Sequence, residues 1–112
     1  MKMSIRSDHR ALAEALRRRV LEGPGETPPG LRQASAERAA DGPAAEAPYD
    51  DLARQIGEAA YRVTDAQVSS VLTATGSEKA TFEIIAAAAL GAGLLRWEQA
   101  IKVLDEVTDA PA

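Results

Sequence analysis

Four residues able to do chemistry fall within five positions: Tyr61, Arg62, Thr64 and Asp65, in the stretch AYRVTDAQ. A phenol and a guanidinium beside a helix start could hold a small anion or an oxygenated ligand. Further on, Glu83 stands among apolar neighbours. A carboxylate there must pair, with Arg62 or Arg96 as candidates, or rise in pKa and serve as a general base. Glu83, Tyr61 and Arg62 together make a candidate catalytic set for a thiol-free lyase, decarboxylase or isomerase acting on a small organic acid. The plainer reading has Thr64 capping a helix, Arg62 solvated, Tyr61 packed and Glu83 in a structural ion pair. Glu58 lies four residues before Arg62, the spacing of an ordinary surface pair.

Several chemistries are excluded by absence. The 112 residues contain no cysteine, so there is no disulfide, thiolate metal site or cysteine nucleophile. His9 is the one histidine and has no companion ligand nearby, so neither a metal nor any cofactor is expected. Ser69 and Ser70 have no elbow motif and no histidine close in sequence. The net charge of −4 gives no general attraction to phosphates, and the helix after Gly76 turns apolar instead of presenting base-reading side chains. Nucleic acid is therefore not an expected partner. The run Arg17-Arg18-Arg19 is either a solvated helix face or a dock for an acidic protein. The start MKMSIRSDHR lacks a signal-like apolar segment, and the apolar run from Ile84 to Leu95 is short for a bilayer. A cytoplasmic location without a membrane span is the expectation.

The elements that would position these residues are helical. Hydrophobic residues make up 46% and aromatics 4%, with alanine supplying much of the remainder, a composition for closely packed helices. Ser7 and Asp8 suit a helix start, and Leu12, Leu16 and Val20 form its stripe until Gly23-Pro24-Gly25 ends it. LRQASAERAAD (31–41) could be a short, lightly packed helix between two Pro/Gly breaks. Residues 1–48 are accordingly expected as a loosely attached segment. From Tyr49 a face of Leu52, Ile56, Ala59, Ala60 and Val63 appears. Thr64 with Gln67 has the form of a capping box, and Val68, Val71 and Leu72 are expected to face inward. Gly76 is placed for a left-handed C-cap and Ser77 for the next start. The long final helix runs to about Val107. Its first half, Phe82 to Leu95, is apolar on nearly every side and is expected to be buried on every side. A chain this small cannot easily surround it, so homo-oligomer formation follows, with Ala88, Gly91, Ala92, Leu95 and Trp97 as interface residues. Residues 108–112 should fray.

The stretches AYRVTDAQVSSVLTATGS and FEIIAAAALGAGLLRW resemble the carboxymuconolactone decarboxylase and alkyl hydroperoxidase D-like superfamily. The likeness covers about Tyr49 to Val107 and implies an all-α fold, a small helical bundle of that type. Redox members of the family carry Cys-x-x-Cys, a histidine four residues on, and a glycine eight beyond. Aligned on Gly76, those positions are Tyr61, Thr64 and Val68. Peroxide reduction needs a thiolate and a resolving thiol, which Tyr61 and Thr64 do not supply. Val68 cannot relay a proton, which also removes the histidine that decarboxylase members are thought to use. The resemblance therefore implies a redox-inactive relative acting as an oligomeric structural or accessory subunit, with the thiol-free lyase as the alternative.

Overall fold

The computed structural model describes residues 5–109. Five α-helices account for most of them: α1 (Ile5–Glu22), α2 (Pro29–Ala39), α3 (Tyr49–Ala59), α4 (Asp65–Thr75) and α5 (Glu78–Asp109), with a 3₁₀ turn at Ala60–Arg62 between α3 and α4. The all-helical bundle expected from composition is present. Its long axis of 56 Å is set by α5, whose 32 residues at ~1.5 Å each span about 48 Å.

Helix boundaries follow local chemistry. Thr64 Oγ1 accepts the Gln67 amide at 3.2 Å while Gln67 Oε1 accepts the Thr64 amide at 3.0 Å, the reciprocal bonds of a capping box. Gly76, at φ 73°, closes α4 in the left-handed conformation and donates to Leu72 O at 2.8 Å. Ser77 Oγ accepts the Ala80 amide at 3.1 Å and starts α5. Helix α1 spans Ile5–Glu22 with Asp8 in its first turn; the expected capping role of the Ser7 side chain lies outside the described residues. Residues 110–112 of the expected frayed tail lie outside the described residues; Thr108 and Asp109 are helical.

The core is thin and depends on close backbone approach. Leu52, Ile56, Val71 and Ile84 fill its centre with Ala53, Ala88 and Ala92 between them. Leu52, Val71 and Ile84 are fully buried, each contributing about 1.5–3 kcal/mol. Helix α2 packs against both α3 and α5 and buries Arg32, Ser35, Ala36 and Ala39. A Cβ at Gly91 would collide with the Ala36 carbonyl, and one at Gly57 with the Ala39 carbonyl. Small residues on three helices thus let α2 sit as a wedge whose own carbonyls touch its neighbours. The expectation of a loosely attached segment 1–48 does not describe α2. Its lack of large side chains permits this tight seat.

Arg32 fixes the preceding linker. Its guanidinium, 3% exposed, donates to Val20 O and Gly23 O at 2.7 Å and to Thr27 O at 3.3 Å. Two of these carbonyls belong to the α1 terminus, where a cation also meets the negative helix end. Beyond the bundle, α1 runs antiparallel along the second half of α5, joined to it by Arg10–Asp105 and by Arg17–Glu98 at 3.0 Å.

Helix α5 has two unlike sides. By length and composition it would suffice to cross a membrane; here Ile84, Ala87, Ala88, Gly91 and Ala92 are buried in the bundle. The opposite side faces solvent. Phe82 is 67% exposed, and Ala89 and Gly93 are exposed. This corrects the expectation that Phe82 to Leu95 is enclosed all round. Four neighbouring helices are too few, and the chain too short, to close the ring around it. Leu72 is likewise exposed, not inward-facing, whereas Val71 is buried and Val68 packs against the core.

Candidate functional site

The corner between α3 and α4 is built by a polar network. Asp51, on α3, accepts Arg54 Nη2 at 2.8 Å and Gln67 Nε2 at 3.1 Å. Gln67 thereby links the α4 cap to α3. These bonds, the Arg54 one foremost, hold the Asp51 carboxyl below its ordinary range, which makes it a poor base. Arg54 also pairs with Glu58 at 2.8 Å, so Glu58 is not the partner of Arg62 that the four-residue spacing suggested. Instead, Arg62 sits 5.7 Å from the Tyr61 ring centroid, a cation–π contact.

The predicted ligand residues do not converge. Tyr61 is 84% exposed, and Arg62, Thr64 and Asp65 are exposed with it. Thr64 is occupied as a cap. Beside the corner lies a cleft of about 290 Å³ lined by Pro48, Asp51, Thr64, Ala66, Gln67 and Ser70. Tyr61, Arg62 and Glu83 contribute nothing to it. The stretch between Ala59 and Val63 turns the phenol outward because a 3₁₀ turn replaces the last helical turn of α3 there.

Glu83 faces a different element. Its carboxylate accepts the Glu26 amide at 2.9 Å, the Thr27 amide at 2.9 Å and Thr27 Oγ1 at 2.7 Å. Burial pushes the carboxyl up, but the Thr27 hydroxyl, the Glu26 and Thr27 amides and the nearby Arg32 charge bring it down to about 2. The expected partners Arg62 and Arg96 are not used; Arg96 donates to Gly57 O at 2.6 Å. A carboxylate saturated by three donors is an anchor, not a proton acceptor. It straps the GPGET linker onto α5, and a Cβ at Gly25 would come to 2.9 Å from the Glu83 carboxylate oxygens and push that acceptor aside. Ser77 Oγ to Glu26 Oε1 at 2.7 Å closes the same strap.

Sequence pattern alone does not single out Thr27 or Arg32. Their signal is an arginine in an otherwise small-residue helix, just after a Pro/Gly linker whose amides need acceptors.

Most of the other predicted residues are likewise taken up within the chain. Arg17 pairs with Glu98 and Arg18 lies 3.8 Å from Glu14, so the basic run partly serves the chain's own acids. The cleft of about 450 Å³ between α1, α2 and α5 is lined by Arg17, Arg18, Glu14 and Glu98 over a floor that includes Leu21 and Gly91. Among the described residues no group of His, Asp or Glu could hold a metal ion. Of the expected interface residues, Ala88, Gly91 and Ala92 are enclosed by the chain itself, since α2 occupies the room they leave. Leu95 and Trp97 remain half-exposed.

No family model, curated protein or solved structure matches this chain. The likeness to the carboxymuconolactone decarboxylase superfamily therefore rests on the quoted residues alone.

What the surface does offer is apolar. Phe82, Ala89, Gly93, Ala100, Leu104 and Val107 are all exposed along one side of α5. Beside them Leu12 and Leu16 of α1, 67% and 49% exposed, line a shallow groove with Leu94 and Trp97.

Proposed function

We propose that this chain is a helical association module, an oligomeric structural or accessory subunit without thiol redox chemistry. One observation carries the reading: from Phe82 to Val107 the longest helix presents an apolar side that the other helices leave largely exposed. A contiguous patch of that size on a soluble domain marks an interaction surface. The dispersal of Tyr61, Arg62 and Glu83 supports the same reading, because acid–base chemistry needs its groups within hydrogen-bonding reach of one reacting centre. The rigid bundle also supports it. The α2 seat at Gly91 and the linker strapped to Glu83 fix the buried side of α5, which leaves the opposite side free for a partner.

The test is mass in solution. A dilution series followed by multi-angle light scattering should give a multiple of the 11.8 kDa chain mass that falls toward one chain on dilution. A single-chain mass at every concentration, with no partner-dependent change, would remove the reading.

A further inference from the structure

Taking the association reading as its starting point, we infer that the uncovered side of α5 is the seat of a second copy of this chain, the two α5 helices packing antiparallel and crossing at Gly93. Three observations on that side converge. First, it is uncharged. At ~100° per residue, no Asp, Glu, Lys or Arg between Phe82 and Val107 falls within about 50° of its midline. Glu83, Glu98 and Asp105 point toward the chain's own linker and α1. Two copies can therefore meet without burying a charge.

Second, Gly93 has no use inside the chain. Gly91 and Gly57 admit α2, but a Cβ at Gly93 would meet nothing within 4 Å. A mid-helix glycine costs about 1 kcal/mol relative to alanine. Close approach by another backbone is the use that remains for it, and Ala89, one turn earlier on the same side, extends the small surface.

Third, the face is complementary to itself under a two-fold axis at Gly93. Its residues fall four, seven and eleven positions to either side: Ala89 and Trp97, Ala86 and Ala100, Phe82 and Leu104. An antiparallel partner thus sets Trp97 level with Ala89, and Phe82 level with Leu104. Large side chains meet small ones near the crossing and pair with each other at the ends. A closed two-fold pairing requires this matching of one patch with itself.

The area is adequate. A stripe of 26 residues is ~39 Å long and ~10 Å wide, and the Leu12–Leu16 shoulder brings it to roughly 600 Å². Paired, that is about 1,200 Å² in total, the lower end of the roughly 1,200–2,000 Å² that stable interfaces bury.

The absence of native cysteine makes the decisive experiment clean. Gly93→Cys, oxidised with copper phenanthroline at micromolar concentration, should convert to a reductant-sensitive covalent dimer, while Ser70→Cys, exposed on α4, should not. Ala89→Glu should weaken association about a hundredfold by light scattering, with helix content by circular dichroism unchanged because the site is exposed in the single chain. If wild type associates, yet Gly93→Cys fails to cross-link and Ala89→Glu associates normally, the crossing is wrong and the association reading stands. A single-chain mass in wild type sinks both. A single chain that instead sediments with phosphatidylcholine vesicles also overturns the pairing, assigning the stripe to a lipid surface.

Discussion

Replacing Glu83 by glutamine isolates the charge of the strap while keeping its shape. The carboxylate is held at about 2 against an ordinary value of 4.5. At about 1.36 kcal/mol per pH unit, the charge-dependent stabilisation is at most about 3 kcal/mol; partial solvation lowers this to about 2. Because the folded value lies below the unfolded one, this stabilisation is complete above about pH 4.5. It is lost as pH falls toward 2, with most of it gone by about pH 3. Glu83→Gln should therefore lower the melting temperature at pH 7 by about 8–10 °C in a chain of this size, and the gap to wild type should close on acidification. Urea unfolding at pH 7, 5, 4 and 3 measures it. Thr27→Val, which removes the 2.7 Å hydroxyl bond but not the charge, should lose about 1 kcal/mol at pH 7. Equal stabilities of wild type and Glu83→Gln, or a difference that stays constant from pH 7 to 3, would show that the linker does not lean on this carboxylate.

Four further substitutions probe the packing and the helix caps. Gly91→Ala should cost at least 2 kcal/mol because its methyl meets the Ala36 carbonyl, whereas Gly93→Ala should raise the stability of the single chain by about 0.5–1 kcal/mol; chemical denaturation at low protein concentration separates them. Arg32→Met should destabilise by about 3 kcal/mol or more, through loss of three bonds to carbonyls at the end of α1 and in the linker, and hydrogen exchange should show α1 opening before α5. Thr64→Ala, which breaks the capping box, should cost about 1 kcal/mol in the same unfolding assay.

Local rules made much of this fold legible. Thr64, Gln67 and Gly76 declare the ends of α4 because caps depend on neighbours within a few residues. The spacing of Leu52 and Ile56 likewise declares the buried face of α3. Long-range seating was less visible. Helix α2 reads as weak from its small side chains, yet those same side chains bring its carbonyls against Gly91 and Gly57. Uniform hydrophobicity from Phe82 to Leu95 carries no direction, so the sequence does not say which side other helices leave bare. The candidate site diverged for a related reason. Glu83 was bound to need donors, but amides are not visible as residue types. Those of Glu26 and Thr27 answered in place of the arginines.

If association covers α5, a charge placed on its exposed stripe should separate the chains. Sedimentation equilibrium on wild type and on Phe82→Glu tests this directly, since Phe82 lies open to solvent in the single chain and a charge there leaves the bundle intact. Wild type should sediment at twice 11.8 kDa and Phe82→Glu as a folded single chain with the same helix content. Both proteins sedimenting alike, as single chains or as equally tight assemblies, would contradict it.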